Sequence, residues 1–320
     1  MSINGDDIQR VLIVGAGAIG RQIAVQCASH GFNVTLCDKN QNSLGSAVNE
    51  CRDLFKALGD QKQLTAEEIS SAMARIQPTC DPRAAAADAD LLIEAVPEQL
   101  QLKREVFSEF HQYCPPRTLF TTNTSMLLPS MLAASTGRPA QFAAFHFLME
   151  SELVEIMPHA GSSTETIEAL QAVARRLGHV AITCHREQPG YLVNTMLMAL
   201  NASALTLAAN GVASIEDIDR GWMKGVNVDR GPFGILDVVG IDTAWQITEY
   251  GAKWIKNPQT KKNADYLKQY VDQGFLGVKS GRGFYTYPNP AYRQPEFLEV
   301  VQEELPGEFP AATQSTQRPM

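Results

Sequence analysis

The pattern of apolar and polar residues alternates between short apolar runs and amphipathic stretches as far as about residue 187. Val11–Val14 is apolar at every position, which is typical of a strand buried on both faces. A glycine-rich segment follows, then a helical spacing up to His30 and a second strand over Asn33–Cys37. The other predicted strands are Ile76–Thr79, Leu91–Val96, Leu119–Thr122, Gln141–His146, Leu153–Met157 and Val180–Thr183.

The amphipathic stretches between these strands have the spacing of helices. The pattern predicts helices over Asn42–Leu58, Gln99–Tyr113 and Thr164–Leu177, and another that begins after Thr65. Thr65 and Glu68 have the spacing of a capping box at the start of that helix. Strands that alternate with helices predict an α/β fold with a parallel, doubly wound sheet.

The pattern changes at the Gln-Pro-Gly segment of residues 188–190 and is helical beyond it. The predicted helices are Tyr191–Ala209, Ser214–Met223, Gly234–Tyr250 and Asn263–Gln273, with one further strand at Gly283–Tyr287. We therefore expect a sheet domain over residues 1–187 and a helical domain over 188–287. Residues 288–320 are rich in Pro, Glu and Gln and are predicted to be a peripheral tail, with a possible helix at Glu296–Glu304.

The glycine-rich segment has the spacing of a dinucleotide-binding turn. Gly15 would allow the tight turn, Gly17 would let the backbone approach a diphosphate, and Gly20 would let the helix pack on the strand. Ala18 and Ile19 would lie in the first turn of that helix, where free N–H groups favour an anion. The alternative is a glycine-rich turn of ordinary packing.

Asp38 follows the second strand and favours the nucleotide interpretation. Its carboxylate would accept hydrogen bonds from a ribose hydroxyl and repel a 2′-phosphate, so we expect NAD rather than NADP. With this residue, the fold prediction becomes a Rossmann-type doubly wound sheet followed by an all-helical C-terminal domain.

Composition narrows the class of protein. The chain has 320 residues, of which 44% are hydrophobic and 19% charged, as in a globular protein. A net charge of −8 argues against a nucleic-acid or anionic-membrane partner. The six cysteines contain no CxxC pair, which indicates reduced thiols rather than a metal site. The sequence also lacks a signal-peptide layout and a membrane-length apolar run, so we expect a cytoplasmic protein.

Polar residues follow two of the predicted strands at the edge where doubly wound sheets bind ligands. Asn123 and Ser125 follow one strand, and His146 ends another. A histidine in an apolar run is more often a core residue than a catalyst. Glu155 changes this interpretation, because a carboxylate within the apolar strand Leu153–Met157 is costly to bury unless it is paired. If the two strands are neighbours, His146 is its natural partner.

A His–Glu pair suits the oxidation of an alcohol. Glu155 would fix the imidazole tautomer and stabilise its protonated form, and His146 would take the hydroxyl proton while a hydride leaves for a nicotinamide. Ser125, or an amide such as Asn194, would bind the oxygen that becomes a carbonyl. The residues alone therefore predict an NAD-dependent dehydrogenase.

Read in order, the segments GAGAIG, EAVPE, NTS, FHF, LVEI and PGYLVN resemble the 3-hydroxyacyl-CoA dehydrogenase family over about residues 8–287. The resemblance implies an enzyme of fatty acid metabolism that interconverts an L-3-hydroxyacyl thioester and its 3-ketoacyl form with NAD. It also implies a homodimer formed through the helical domain, with the two domains closing over the substrate.

The resemblance also assigns residues. Its catalytic positions are His146 as the base, Glu155 as the acidic partner, Ser125 as the substrate-hydroxyl contact and Asn194 as the catalytic asparagine. Its cofactor positions include Glu98, Lys103 and Asn123. Without the resemblance, Lys103 would be interpreted as an ordinary exposed helix charge.

Two departures from the family leave the substrate open. Phe147–Glu152 replaces a longer Phe-Asn-Pro segment, which implies either a reshaped pocket or the loss of part of the activity. The helical stretch after Asp38 carries only Arg52, Lys56 and Lys62 as basic residues that could bind CoA phosphates. A hydroxyacyl group on an acyl carrier protein, or a free hydroxy acid of the gulonate or carnitine type, is the alternative substrate. A non-catalytic NAD-binding homologue is the alternative of a different class.

Overall fold

The computed structural model describes residues 4–148 and 151–299. The first part of the chain forms one eight-stranded sheet with helices around it, so the predicted α/β fold is confirmed. The strands are β1 Arg10–Val14, β2 Asn33–Cys37, β3 Ile76–Thr79, β4 Leu91–Glu94, β5 Leu119–Thr122, β6 Phe142–Phe147, β7 Leu153–Met157 and β8 Val180–Thr183. The helices here are α1 Ala18–Ser29, α2 Gln41–Asp60, α3 Ala66–Ala74, α4 Pro82–Ala86, α5 Leu100–Tyr113 and α6 Thr164–Arg176.

The strand order is β3-β2-β1-β4-β5-β6-β7-β8. The first six strands in this order, from β3 at the edge to β6, are all parallel. The chain reverses its direction of winding at β1, which lies between β2 and β4. In β1, Val11 and Ile13 pack in one apolar core, whereas Leu12 and Val14 pack in the core on the opposite face. This two-sided burial explains why the strand is apolar at every position.

The prediction of a parallel sheet holds for six strands and is wrong for two. β7 runs antiparallel to β6, and β8 runs parallel to β7, so both run opposite to the other six strands. The connection from Phe147 to Leu153 is too short for a crossover, because a parallel pair needs a dozen or more connecting residues. The antiparallel pairing is the only one that this length permits.

Local signals explain several boundaries. Thr65 accepts a hydrogen bond from the Glu68 amide and Glu68 accepts one from the Thr65 amide, so the capping box is confirmed. Strand β4 ends at Glu94, earlier than predicted, because the amide of Val96 donates to the Glu94 side chain instead of to a neighbouring strand. The short helix α4 was not predicted; Asp81 caps its N-terminus.

Backbone contacts divide the chain into two compact units, with the division after Met196, inside helix α7 Val193–Ala209. The second unit is helical, as predicted, and contains α8 Ile215–Val226, α9 Pro232–Val239, α10 Ile241–Ile255 and α11 Pro258–Asp272. Its apolar core includes Leu205, Met223, Phe233 and Leu267. Among the described residues, the structure has no helix that is both long and apolar enough to cross a membrane.

Two predictions in this unit are wrong. The helix predicted over Gly234–Tyr250 is interrupted at Gly240, whose φ of +96° separates α9 from α10. The strand predicted over Gly283–Tyr287 does not form. The amides of Phe284 and Tyr285 donate to the buried Asp237 carboxylate instead of to a partner strand.

The helix predicted at Glu296–Glu304 lies partly outside the described residues. Within them, Pro295–Leu298 forms a short 3₁₀ turn. Phe297 of this turn is buried in the core of the helical unit.

Candidate active site

The turn between β1 and α1 contains the three glycines of the motif. Gly15 has φ +112°, and a Cβ there would lie 2.6 Å from a neighbouring carbonyl oxygen. A Cβ on Gly20 would collide with the Gly15 carbonyl oxygen, so the close packing of α1 requires glycine. In contrast, a Cβ built on Gly17 would have no heavy atom within 4 Å beyond Gly17 itself and its two chain neighbours. No side chain caps α1, so the amides of its first turn, which begins with Ala18 and Ile19, are accessible to an anion.

Asp38 lies at the end of β2, beside this turn. Its Oδ2 accepts a hydrogen bond of 2.9 Å from the Ala16 amide, and its Oδ1 accepts one of 2.9 Å from the Asn40 amide. A carboxylate has about four acceptor positions, so it retains capacity for ribose hydroxyls. The open Gly17, the uncapped helix and this carboxylate together fit a dinucleotide such as NAD.

Lys103 is buried, with only 1% of its surface exposed, so it is not an ordinary surface charge. Its Nζ lies 2.6 Å from Glu94 Oε1, 3.1 Å from the Val96 carbonyl oxygen and 3.3 Å from Glu98 Oε2. These contacts occupy the three protons of the ammonium group. Burial raises the pKa of Glu94, although the Lys103 ammonium opposes that shift. Glu94 was not among the predicted site residues, although a carboxylate at the end of a buried strand was a usable signal.

Glu98 connects this ion pair to the segment after β5. Its Oε1 accepts hydrogen bonds from the Thr124 hydroxyl, from the Ser125 amide at 3.1 Å and from the Met126 amide at 2.9 Å. Burial would raise the pKa of Glu98, but the bond from Thr124 and the charge of Lys103 outweigh it, so the pKa is lowered. An ionised Glu98 therefore holds the backbone on which Ser125 stands.

His146 and Glu155 occupy directly opposed positions on β6 and β7. His146 Nδ1 lies 3.1 Å from Glu155 Oε2, and Nε2 lies 3.1 Å from the Ser125 Oγ. Glu155 is fully buried and His146 is nearly so. The structure therefore brings these three predicted residues together, although Ser125 follows a different strand.

The environment of Glu155 decides which imidazole nitrogen carries the proton. Burial would raise the pKa of Glu155, but hydrogen bonds from His146 and from the Val193 and Leu192 amides outweigh it, so the pKa is lowered. Those amides lie 3.1 and 3.0 Å from Oε1, at the N-terminus of α7, where an anion is favoured. An ionised carboxylate only accepts hydrogen bonds, so Nδ1 is the donor and Nε2 is the acceptor facing Ser125.

Tyr191 was not predicted as a site residue. Its ring stacks on the imidazole of His146, with centroids 4.5 Å apart and an interplanar angle of 14°. Its hydroxyl donates to the Thr124 carbonyl oxygen at 2.8 Å. The predicted helix started at Tyr191, whereas α7 starts at Val193 because Tyr191 has φ +51°. Hydrophobic periodicity gives no signal for such a backbone conformation.

The two asparagines occupy different positions. Asn123 is half-buried, and its Oδ1 accepts a hydrogen bond of 2.8 Å from the Phe147 amide, which joins the ends of β5 and β6. Asn194 is half-buried in the first turn of α7 and directly follows Val193, whose amide binds Glu155.

Comparison with known proteins identifies the family. The chain matches the NAD-binding domain of 3-hydroxyacyl-CoA dehydrogenase over residues 10–188, and the C-terminal domain of the same family over residues 190–287. The chain belongs to the 3-hydroxyacyl-CoA dehydrogenase family. This confirms the resemblance drawn from the ordered motifs, identifies the protein as an NAD-dependent oxidoreductase and confirms NAD as its cofactor.

Curated relatives match this chain over nearly their whole length. The chain is 31% identical over 284 residues to a probable 3-hydroxybutyryl-CoA dehydrogenase of Bacillus subtilis, covering 88% of this chain and 98% of the relative. It is 32% identical over 278 residues to a protein of the same description from Deinococcus radiodurans, with 86% and 99% covered.

Solved structures also match this chain over most of its length. A diketoreductase that acts on dicarbonyl compounds is 36% identical, with a TM-score of 0.80 and coverage of 88% of this chain and 99% of that one. The (S)-3-hydroxybutyryl-CoA dehydrogenase of Ralstonia eutropha is 31% identical, with a TM-score of 0.78 and coverage of 88% and 100%.

Proposed function

We propose that this family member interconverts an L-3-hydroxyacyl thioester and its 3-ketoacyl form, with His146 as the general base. The observation that carries the proposal is the pair of hydrogen bonds on the imidazole, 3.1 Å to Glu155 and 3.1 Å to Ser125. Because Glu155 keeps the proton on Nδ1, Nε2 is the basic nitrogen, and it faces a hydroxyl group. A substrate alcohol beside Ser125 would meet this nitrogen.

In the oxidation, the substrate O–H proton passes to Nε2 of His146 as the C–H bond breaks and a carbonyl forms. NAD, when bound, supplies the acceptor for the hydride, which carries both electrons of that bond. The buried Glu155 stabilises the imidazolium that results. Ser125 and Asn194 donate hydrogen bonds to the substrate oxygen. In the reduction, His146 returns the proton to this oxygen.

The proposed cofactor residues divide into three groups. Gly15, Gly17, Ala18, Ile19 and Gly20 would hold the diphosphate at the start of α1. Asp38 would bind the adenosine ribose, and the negative charge of its carboxylate would repel a 2′-phosphate. Glu98 and Asn123 would line the nicotinamide half, and Lys103 would contribute by holding Glu98, since its ammonium already has three partners.

The thioester is supported by the named activities of the relatives, which include two probable 3-hydroxybutyryl-CoA dehydrogenases. A free hydroxy acid or dicarbonyl compound is the second candidate, supported by the likeness to the diketoreductase and by the few basic residues on α2. Delivery on an acyl carrier protein is the third. A non-catalytic role is disfavoured, because a site that had lost its activity would not require a buried carboxylate that orients a histidine towards a hydroxyl.

The experiment that separates these candidates is NADH oxidation, followed by absorbance, with one acetoacetyl group in three forms. The forms are the CoA thioester, the acyl carrier protein thioester and free acetoacetate, with NADH binding measured separately by fluorescence. We expect the fastest turnover on acetoacetyl-CoA. Turnover on only one other form would reassign the substrate, and NADH binding without any turnover would support the non-catalytic alternative.

We also propose that the protein is a homodimer formed through its helical unit. Large apolar side chains are exposed along this unit, and a second copy would cover them; they include Met198, Leu207, Trp222, Val226, Val238, Val239 and Ile247. Light scattering coupled to size exclusion tests the proposal, with Ile247→Lys expected to give a monomer. A monomeric wild-type protein would contradict it.

The remaining proposals concern location and domains. We propose a cytoplasmic enzyme of fatty acid metabolism, supported by six free cysteines, five of them buried. Fluorescence microscopy of the tagged protein in its native host tests the location. We propose the domain boundary near residue 187, which is supported by the meeting point of the two family domains between residues 188 and 190. Limited proteolysis tests that boundary.

A further inference from the structure

The segment that leads into α7 contacts three of the proposed catalytic residues: Ser125, His146 and Glu155. The Gly190 amide donates to the Ser125 carbonyl oxygen at 3.0 Å. The Tyr191 ring stacks on His146, and the next two amides donate to Glu155. One short segment therefore contacts the serine, histidine and glutamate at once.

Tyr191 is the side chain of this segment that reaches into the site. It is fully buried, and its two ends make different contacts: the ring covers one face of the imidazole, and the hydroxyl holds the Thr124 carbonyl oxygen at 2.8 Å. Thr124 directly precedes Ser125. A single side chain thus limits rotation of the His146 ring and fixes the backbone that carries the hydroxyl partner of Nε2.

The backbone of Tyr191 is also unusual. Four non-glycine residues among those described have positive φ: Lys62, Tyr191, Asn227 and Lys256. The other three are exposed at turns or helix C-termini, where this conformation is common, whereas Tyr191 is buried at the entrance to a helix. A bulky residue in this conformation is retained only where its surroundings enforce it, and such positions cluster at functional sites.

We propose that Tyr191 is a positioning residue of the dehydrogenation, holding the His146 imidazole and the Ser125 segment in the geometry that proton transfer requires. The inference rests on the proposed function. The ring acts on His146 directly, and the hydroxyl acts on Ser125 through Thr124. Because small misplacements of a reacting group lower the rate strongly, loss of either contact lowers kcat rather than substrate affinity.

Two substitutions separate the contacts. Tyr191→Phe keeps the ring and removes the bond to Thr124, and we expect kcat to fall by about 3- to 10-fold. Tyr191→Asn removes the ring but tolerates positive φ, and we expect kcat to fall by roughly 10²-fold. In both, the KM for NADH should stay near the wild-type value. The melting temperature should stay near the wild-type value in Tyr191→Phe and fall in Tyr191→Asn, because loss of the buried ring leaves a cavity. Asn227→Gly, which changes an exposed residue of positive φ, is the matched control and should keep full activity.

The outcomes are distinguishable. An unchanged kcat in both variants overturns the inference, and so does a loss of kcat that is matched by an equal loss of NADH affinity and stability. If Tyr191→Asn does not fold, Tyr191→Phe carries the test alone: a lower kcat at unchanged NADH affinity supports the inference, and an unchanged kcat overturns it. Absence of turnover in the wild-type enzyme on every acetoacetyl form would instead refute the proposed function.

Discussion

His146 and Glu155 face each other across the one antiparallel pair of strands in the described sheet, with Nδ1 3.1 Å from Oε2. Two backbone amides at the start of α7 bind the other oxygen of the same carboxylate. The carboxylate is thus held from both sides, which orients the imidazole towards Ser125.

Removal of the imidazole tests its role as the base. In His146→Ala we expect kcat to fall by roughly 10²- to 10⁴-fold, because proton transfer loses its acceptor. NADH affinity should be nearly unchanged, since the cofactor turn does not depend on His146. Stopped-flow turnover and fluorescence titration measure the two quantities. His185→Ala, at an exposed histidine, is the control, and normal turnover of His146→Ala would exclude His146 from the mechanism.

Glu155→Gln tests the coupling of the pair. An amide can donate to Nδ1 and so place the proton on the wrong nitrogen, and we expect activity to fall by roughly 10²- to 10⁴-fold with an altered pH–rate profile. Because the pKa of Glu155 is lowered in the folded protein, the stability that its ionised form contributes is present at neutral pH and is lost as the pH falls through that pKa. Urea unfolding at neutral and acid pH measures this contribution. A pH–rate profile identical to that of the wild type would show that the pair is not coupled.

Asp38→Asn tests cofactor selection. The substitution keeps the shape and one acceptor oxygen but removes the charge that would repel a 2′-phosphate. We expect the ratio of kcat/KM for NAD to that for NADP to fall by about 10-fold, or about 1.4 kcal/mol. Steady-state kinetics with both cofactors gives the ratio. An unchanged preference would show that Asp38 does not select the cofactor.

Lys103→Met tests the buried ion pair. Removal of the ammonium leaves Glu94 buried without its partner, and we expect a loss of about 3–5 kcal/mol in the free energy of unfolding. The double variant Glu94→Gln with Lys103→Met should recover part of this loss, because the unpaired charge is gone. Urea denaturation of the wild type, Lys103→Met and the double variant measures these free energies of unfolding. A double variant no more stable than Lys103→Met would contradict the assignment.

Asp219 of the helical unit gives a prediction of opposite sign to Glu155. Burial raises its pKa to about 6, even though the Phe233 and Gly234 amides and the Tyr285 hydroxyl donate to it. The folded state therefore holds the proton more tightly than the unfolded state, and stability falls as the pH rises from about 4 to about 6.

In Asp219→Asn this dependence should disappear, although the variant is less stable overall. In the wild-type protein, Asp219 should lower the free energy of unfolding by at most about 3 kcal/mol as the pH rises across that range. Chemical denaturation at several pH values measures it. Asp272→Asn, at an exposed carboxylate, should keep the wild-type slope, and a slope retained in Asp219→Asn would contradict the prediction.

Much of the fold could be predicted because local patterns carry the information. The strands that are apolar at every position, the capping box at Thr65 and the glycine turn depend on residues close in sequence, so their elements occur where predicted. The partner of one buried charge could also be inferred: a carboxylate within β7 requires a partner, and His146 was the natural candidate.

Tertiary structure decided what depends on the approach of distant segments. The direction of β7 follows from the short connection that precedes it. The break between α9 and α10 follows from the backbone conformation of Gly240. The predicted last strand is absent because the buried Asp237 carboxylate binds the amides that would have paired with another strand. The burial of Lys103 follows from Glu94 on another element, since no spacing rule tells a paired lysine from a solvated one.

Tyr191 is the clearest case of the second kind. A tyrosine at this position is compatible with the first turn of a helix. Only the folded chain gives Tyr191 its positive φ and brings its ring to His146 and its hydroxyl to Thr124. The sequence by itself determined the family and the cofactor, because these depend on motifs and local periodicity. The tertiary structure decided which side chains share protons and which hold them in place, because those contacts join residues far apart along the chain.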